Sequence, residues 1–127
     1  MDQRRCPCGS GETMAACCGR YLAGATKPPT AEALMRSRFT AFAVGDEAYL
    51  LASWQPDTRP PSCPVDPHTR WLHLTIVDVV DGSPFQVSGI VEFIAVYRDA
   101  DGRGELHERS VFERVDGHWY YLSGTYR

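Results

Sequence analysis

The sequence lacks any apolar run of the roughly 20 residues that a membrane-spanning helix needs. Its first ten residues, MDQRRCPCGS, contain no apolar stretch that could serve as a signal sequence. Positive charge is not in excess either, because 13 Lys and Arg residues face 16 Asp and Glu residues for a formal net charge of −3. We therefore expect a cytoplasmic protein without a membrane partner, and specific binding to nucleic acid is not expected.

Four motifs that mark common enzyme classes are also absent: G-x-x-x-x-G-K-[ST], G-x-G-x-x-G, H-E-x-x-H and G-x-S-x-G. Their absence excludes P-loop nucleotide hydrolysis, Rossmann-type redox chemistry, zincin proteolysis and the nucleophile elbow of many hydrolases. Without a specific catalytic signature, the sequence favours a binding protein over an enzyme.

The sequence is rich in cysteine at one end. Four of its five cysteines form a C-x-C-x8-C-C cluster, Cys6, Cys8, Cys17 and Cys18. Because a reducing compartment disfavours disulfides, this cluster predicts a metal site. Four thiolates suit a closed structural zinc site, and an iron–sulfur centre or a set of reactive thiols are the alternatives.

The residues between these cysteines suit a tight knuckle. Pro7 keeps the first pair extended, and Gly9 and Gly11 permit positive φ angles. A short helix beginning near Glu12 is predicted to bring the second pair of cysteines towards the first.

The segment CPCGSGETMAACCG closely resembles the SEC-C motif, the small zinc knuckle found at the C-terminus of the SecA translocation ATPase. The resemblance implies a knuckle over residues 1–24 with Zn²⁺ held by Cys6, Cys8, Cys17 and Cys18. In SecA the knuckle docks on a chaperone. By analogy, a protein or ribosomal partner is expected for the knuckle of this chain.

The rest of the chain reads as helices followed by strands. Helices are predicted over residues 30–44 and 46–54, the first capped by Thr30. Residues 57–69 form a proline-rich connection, long enough for a lid or binding loop, that carries Cys63.

Four strands are predicted, over residues 71–80, 85–98, 105–115 and 118–126, with Asp-Gly turn signals between them. An antiparallel meander follows from this pattern. Two helices before a long, twisted meander predict an α+β fold in which the curved sheet wraps the helices and encloses a cavity.

The segments ALMRSRFTAF, AYLLASWQP, GIVEFIAVY and LHERSVFERVDGHWYYLSG resemble the YchJ-like family of bacterial proteins. The resemblance implies a nuclear-transport-factor-2-like cone domain over residues 25–127, and it implies no particular activity. Where relatives read Trp-His-Pro, this chain reads Trp54-Gln55-Pro56, so it offers no catalytic histidine there.

Eight side chains are candidates for the cavity: Arg38, Trp54, Trp71, His73, Glu92, Glu108, Ser110 and Tyr121. A carboxylate in an apolar cone has a raised pKa and can act as a general base, while an arginine can hold an anionic group. A structural alternative is a buried ion pair between Arg38 and Glu108, with Ser110 bonded to it.

The leading prediction is a zinc-binding module that docks through its knuckle and uses the cone to bind a ligand or partner. The alternative is an enzyme acting on a small molecule, with Glu108 or Glu92 as the base and Arg38 as the anchor. An apolar outer face of the sheet would also support a homodimer.

Overall fold

The computed structural model describes residues 4–127, which form three helices and one four-stranded sheet. The elements in chain order are α1 (Cys18–Leu22), α2 (Ala31–Val44), α3 (Glu47–Ala52), β1 (Arg70–Asp81), β2 (Ser88–Asp99), β3 (Gly102–Val115) and β4 (His118–Tyr126). The strands pair antiparallel in the order β1-β2-β3-β4, so the predicted α+β meander is confirmed. Within the described part of the chain, no helix is long and apolar enough to cross a membrane.

The knuckle differs from its prediction, because no helix begins near Glu12. The backbone groups of residues 12–14 instead bond back to residues 4–6: Cys6 N donates to Glu12 O (2.9 Å) and Met14 N to Arg4 O (2.7 Å). This small hairpin occupies the groups that a helix would need, so α1 begins only at Cys18.

Helix α2 has the predicted ends. The Thr30 hydroxyl accepts a hydrogen bond from Ala33 N (3.0 Å), and Gly45 ends the helix in the left-handed region at φ 79°. The helix is anchored at its start, where Ala31 N donates to Gly82 O (3.0 Å). A β-carbon on Gly82 would lie 2.7 Å from Cβ of Ala31, so only glycine allows this close approach.

Helix α3 ends at Ala52, two residues before the predicted end at Trp54. The following residues pair with β4 instead, since Tyr121 N donates to Ser53 O and Gln55 N to Tyr121 O, both at 2.8 Å. This short parallel pairing holds Trp54 beside Tyr121.

The core lies between α2 and the inner face of the sheet. Its buried members are Ala31, Leu34, Met35, Phe39, Val91, Phe93, Ala95, Phe112 and Trp119. Strand β2 is central, as its apolar residues on both faces predict. It starts at Ser88 rather than at Phe85, whose side chain is 91% exposed in the β1–β2 connection.

A candidate metal centre and a candidate ligand cavity

The four clustered cysteines lie together where the knuckle meets α2. Their sulfur atoms are all within 4.8 Å of one another, and Cys6, Cys8 and Cys18 are buried. The hairpin supplies Cys6 and Cys8, and the start of α1 supplies Cys18 and its neighbour Cys17. The four thiols form a plausible metal site.

Two of the sulfur separations match those around a tetrahedral zinc ion. Metal–sulfur bonds of about 2.3 Å imply sulfur–sulfur distances of about 3.8 Å in a regular tetrahedron. Cys8 Sγ lies 3.6 Å from Cys17 Sγ, which in turn lies 3.9 Å from Cys18 Sγ. All four positions are filled by protein thiols, so such an ion would be structural rather than catalytic.

Two side chains of α2, Arg36 and Thr40, make polar contacts with the cysteine cluster. Arg36 donates from Nη1 to the carbonyl oxygen of Cys8 (2.8 Å) and from Nε to Glu32 (3.0 Å). The hydroxyl of the buried Thr40 lies 3.6 Å from Cys6 Sγ. Polar contacts of this kind orient metal ligands and raise metal affinity.

The thiols also perturb one another. Hydrogen bonds to Cys6 and Cys8, together with burial, raise the pKa of Cys18. A hydrogen bond from Cys18 lowers the pKa of Cys6. Four thiolates in one buried cluster would repel one another, so all of them could ionise only with a bound cation.

The second candidate site is a cavity of about 340 Å³ between α2 and the inner face of the sheet. Its lining residues are Met35, Arg38, Phe39, Phe42, Trp54, Cys63, Trp71, Phe93, Ala95, Leu106, Glu108, Ser110, Tyr121 and Tyr126. Such a volume, with mainly apolar walls and a few polar groups, is typical of small-molecule sites.

Six of the eight residues predicted for the cavity line it, but Arg38 and Glu108 do not form the ion pair that was the structural alternative. Arg38, 5% exposed, donates from Nη1 to the carbonyl of Leu50 (2.8 Å) and the hydroxyl of Ser53 (2.6 Å). Within residues 4–127, no carboxylate lies within ion-pair distance of it. Burial lowers the pKa of Arg38 to about 10, which leaves the group charged at neutral pH.

The Glu108 carboxylate has neutral partners of its own. Ser110 donates to its Oε2 at 2.5 Å and the Tyr121 hydroxyl at 3.4 Å. Burial and the nearby carboxylate raise the pKa of Tyr121. The role of Glu108 as a general base stays a prediction.

Two aromatic rings of the cavity wall, those of Trp54 and Tyr121, lie close to the guanidinium group of Arg38. The Arg38 guanidinium carbon lies 4.5 Å from the centre of the Tyr121 ring and 5.2 Å from that of Trp54. Trp54 meets Tyr121 edge to face at 4.9 Å. The buried Nε1 of Trp54 has no hydrogen-bond partner within the described residues.

The other two predicted cavity residues, His73 and Glu92, lie on the outer face of the sheet. A bulge between Trp71 and His73 shifts the alternation of β1, so His73 pairs with the outward-facing Val96. Glu92 belongs to an outer network in which it contacts His107 (2.7 Å) and Arg109 (2.9 Å).

This network continues to Asp78, which accepts a hydrogen bond from Arg109 Nη1 at 3.1 Å. It places a polar stripe across the face that was predicted to be apolar enough for a dimer. The homodimer stays a prediction.

The proline-rich connection contributes Cys63 to the cavity wall. Cys63 N donates to the Glu47 carboxylate (2.8 Å), and Thr58 in the same connection donates to Leu122 O (3.0 Å). Burial raises the pKa of the Cys63 thiol, which does not favour a reactive thiolate.

Sequence reasoning missed two residues that shape the cavity. Ser53 bonds to Arg38, but its only sequence signal is its place just before Trp54. Gly124 lies opposite Ser110, and a β-carbon there would lie 2.7 Å from Cδ of Glu108. A glycine inside a strand is the signal that could have pointed to a close approach.

Comparison with known proteins places this architecture in one family. The model of the YchJ middle, nuclear-transport-factor-2-like domain matches residues 30–124. A UPF0225 protein of Streptomyces coelicolor is 53% identical over 126 residues, which cover 99% of this chain and 98% of the relative. A UPF0225 protein of Chromobacterium violaceum is 48% identical and covers 94% of this chain and 90% of its own length.

Two solved structures share the fold. A SEC-C motif containing protein from Rhodopseudomonas palustris matches with a TM-score of 0.83 and 34% identity, over 94% of this chain and 96% of its own. A SEC-C motif containing protein from Psychrobacter arcticus matches with a TM-score of 0.77 and 24% identity, over 98% of this chain and 83% of its own. With its four-cysteine knuckle and its cone domain, the chain belongs to the YchJ-like UPF0225 family.

Proposed function

We propose that this protein binds a small organic ligand in the cone cavity. We propose further that a structural zinc ion in the knuckle stabilises α2, the helix that carries Arg38 of the cavity. The cavity itself is the observation that carries the proposal. It has about 340 Å³ of space, aromatic walls and charged groups whose hydrogen bonds inside the protein are only partly satisfied.

The unsatisfied groups favour a ligand over a purely structural role. A buried donor without an acceptor costs about 1–3 kcal/mol, and the Nε1 of Trp54 is such a donor. Arg38 adds a buried cation without a carboxylate partner among the described residues. Nε1 of Trp54 is sealed from the cavity, so a ligand that accepts hydrogen bonds would offset only the cost of the buried cation.

Zinc is the proposed ion for the knuckle. Four thiolates with tetrahedral separations suit it, and a cytoplasmic location, also part of the proposal, would keep the thiols reduced. Helix α2 links the two sites, because Arg36 and Thr40 contact the knuckle while Arg38 lines the cavity.

A native mass spectrum and a fragment screen test both halves of the proposal. The expected spectrum of protein prepared with zinc shows one zinc ion per chain. In the screen, Ala95→Leu fills the cavity, since Ala95 is 2% exposed and lines it, and Ala100→Leu is the matched control on an exposed turn.

Fragments that stabilise the wild type and Ala100→Leu should not stabilise Ala95→Leu. Equal stabilisation of all three proteins, or no stabilising fragment at all, would overturn ligand binding in the cavity. A protein that folds without any bound metal would overturn the zinc assignment.

Docking of the knuckle on a protein or ribosomal partner is the second candidate. Arg5 and Arg20 favour it, because both are exposed and each is held in place by a backbone carbonyl of the knuckle. An anionic surface is the complement that two fixed cations would fit.

The docking candidate is tested by partner capture with Arg5→Glu and Arg20→Glu together. The expected result is the loss of a partner that the wild type and Arg103→Glu, an exposed control on β3, both retain. Identical partners for all three proteins would exclude docking through these arginines.

A further inference from the structure

Arg38 uses only part of its hydrogen-bonding capacity within the protein. Its Nη1 donates to the Leu50 carbonyl and to the Ser53 hydroxyl, and these bonds occupy both hydrogens of that nitrogen. Across residues 4–127, Nε and Nη2 have no hydrogen-bond partner, although the side chain is buried. One edge of a buried cation is therefore left without an acceptor.

This free edge belongs to the cavity. Arg38 lines it, and the rings of Trp54 and Tyr121 lie against the guanidinium. Unlike Nε1 of Trp54, Nε and Nη2 keep some exposed surface, and the side chain that carries them lines the cavity. A ligand in the cavity would meet the Nε–Nη2 edge as its strongest hydrogen-bond donor.

We infer that the cavity binds an organic monocarboxylate with a flat apolar body, and that the Nε–Nη2 edge of Arg38 holds the carboxylate side-on. The inference rests on the proposed function and names its ligand class. Two parallel charge-assisted hydrogen bonds form in such a pair, and the planar guanidinium matches the carboxylate in shape. The ligand would also give the buried cation a directly bonded anion, which residues 4–127 do not provide.

The other walls define the rest of the ligand. Phe39, Phe42 and Trp71 form an aromatic surface, with Trp71 in contact with both phenylalanine rings at about 6 Å between ring centres. Glu108 adds a negative charge to the same cavity. A second carboxylate on the ligand would be repelled by it in a low-dielectric site, so a monocarboxylate is favoured.

Matched probes test the inference without knowledge of the natural ligand. The probes are benzoate and naphthalene-2-carboxylate, each paired with its carboxamide, which has the same shape but no charge. Naphthalene-2,6-dicarboxylate tests the effect of a second carboxylate. Binding to the full chain is measured by NMR titration, following the amides of the cavity strands and the Nε–H signal of Arg38.

The expected result is that each carboxylate binds at least about tenfold more tightly than its amide, a difference typical of one charge-assisted pair. The Arg38 Nε–H signal should move downfield with the carboxylates only. The dicarboxylate should bind more weakly than naphthalene-2-carboxylate.

Variants assign the preference to Arg38. Arg38→Met should abolish the preference for the carboxylate. Arg38→Lys should keep a reduced preference, because lysine has the positive charge but not the two parallel N–H donors of a guanidinium. Arg109→Met, on the outer face of the sheet, should leave the preference unchanged. If Arg38→Met does not fold, the Nε–H signal of the wild type shows whether the carboxylate bonds to Arg38, because this measurement needs no substitution.

Two outcomes would overturn the inference, and they differ in what they say of the proposed function. Equal binding of carboxylates and amides in the cavity would leave ligand binding standing and remove the role of Arg38. If no probe changed the cavity signals at millimolar concentration, both the proposed ligand binding and the role of Arg38 would be excluded.

Discussion

Gly124 leaves open the space that the carboxyl group of Glu108 occupies on the neighbouring strand. A β-carbon on Gly124 would lie 2.7 Å from Cδ of Glu108, which is closer than nonbonded carbon atoms approach. With alanine at residue 124 the carboxyl group would have to move, and its contacts with Ser110 and Tyr121 would change.

The first prediction concerns Gly124→Ala. The added methyl group should displace the flexible end of the Glu108 side chain and lower the free energy of unfolding by about 0.5–1 kcal/mol, less than overpacking of a rigid core costs. Urea denaturation measures it, and Ser123→Ala, exposed on the same strand, should change the stability by less than about 0.5 kcal/mol. Equal stability of Gly124→Ala and the wild type would show that the carboxyl group is not confined there.

The second prediction concerns the contact between Arg36 and the knuckle. Arg36→Met removes the hydrogen bond to the Cys8 carbonyl and should weaken binding of the proposed zinc ion by about 10–100-fold, as loss of groups supporting metal ligands does. The rate of zinc transfer to a chromophoric chelator measures this. Glu32→Gln is the matched control, because it removes the ion pair with Arg36 but leaves the Cys8 contact.

Should Glu32→Gln release zinc as fast as Arg36→Met, the ion pair rather than the carbonyl contact would support the site. Identical rates for both variants and the wild type would show that the Arg36 contact does not support the candidate metal centre.

Much of the fold was predictable from local signals. The Thr30 cap and the Gly45 terminus set the ends of α2, and both lie within a few residues of the groups they bond to. In the β3–β4 turn, Asp116 and Gly117 take the positive φ angles, 51° and 81°, that an Asp-Gly hairpin turn requires. Signals of this kind need no knowledge of the rest of the chain.

The side of the sheet on which a residue falls was harder to predict. Alternation puts Trp71 and His73 on one face, but the bulge between them turns His73 outward. For Glu92, both faces of β2 are apolar, so its own strand cannot indicate the inner face. The β2–β3 register determines the face on which Glu92 lies, because it pairs Glu92 with Arg109 rather than with Glu108.

The partners of Arg38 could not be predicted for a related reason. The structural alternative from the sequence pairs Arg38 with the carboxylate of Glu108. The cation is instead satisfied in part by the end of α3, through the Leu50 carbonyl and Ser53. Carbonyl groups at a helix end carry no residue-specific signal, since every residue has one.

The third prediction concerns the acid side of the stability profile. His107 and then Arg109 hold the pKa of Glu92 below its usual range through hydrogen bonds. A carboxylate whose pKa is lower in the folded than in the unfolded state stabilises the protein above the unfolded value, and this contribution is lost as the pH falls through the folded value. Glu92→Gln should therefore be less stable than the wild type at neutral pH, with a difference that shrinks in acid.

Denaturant midpoints at pH 7 and at about pH 3 measure this change, because an unperturbed glutamate has a pKa of about 4.3. Glu105→Gln is the control. Glu105 is exposed on β3, on the same face of the sheet as Glu92, and has no ion pair within the described residues. As a substitution of an exposed side chain, Glu105→Gln should stay within about 0.5 kcal/mol of the wild type at both pH values. A gap for Glu92→Gln that is equally large at both pH values would contradict a role for the ionised carboxylate.

The fourth prediction concerns the alkaline side. Burial raises the pKa of Tyr49 to about 12, and its hydroxyl lies 2.7 Å from Oγ of Ser37. A group whose pKa is higher in the folded state contributes stability that is present below the unfolded value, about 10 for tyrosine, and is lost as the pH rises through the folded value. Wild-type stability should therefore fall between pH 10 and pH 12.

Tyr49→Phe should be less sensitive to pH in this window, because phenylalanine has no proton to lose. Denaturant midpoints at pH 9 and pH 11 measure the change, and absorbance near 295 nm reports directly on tyrosine ionisation. Tyr126→Phe is the matched control, since Tyr126 is 77% exposed. If Tyr49→Phe and the wild type lost stability equally between the two pH values, the buried hydroxyl of Tyr49 would not be the source of the alkaline transition.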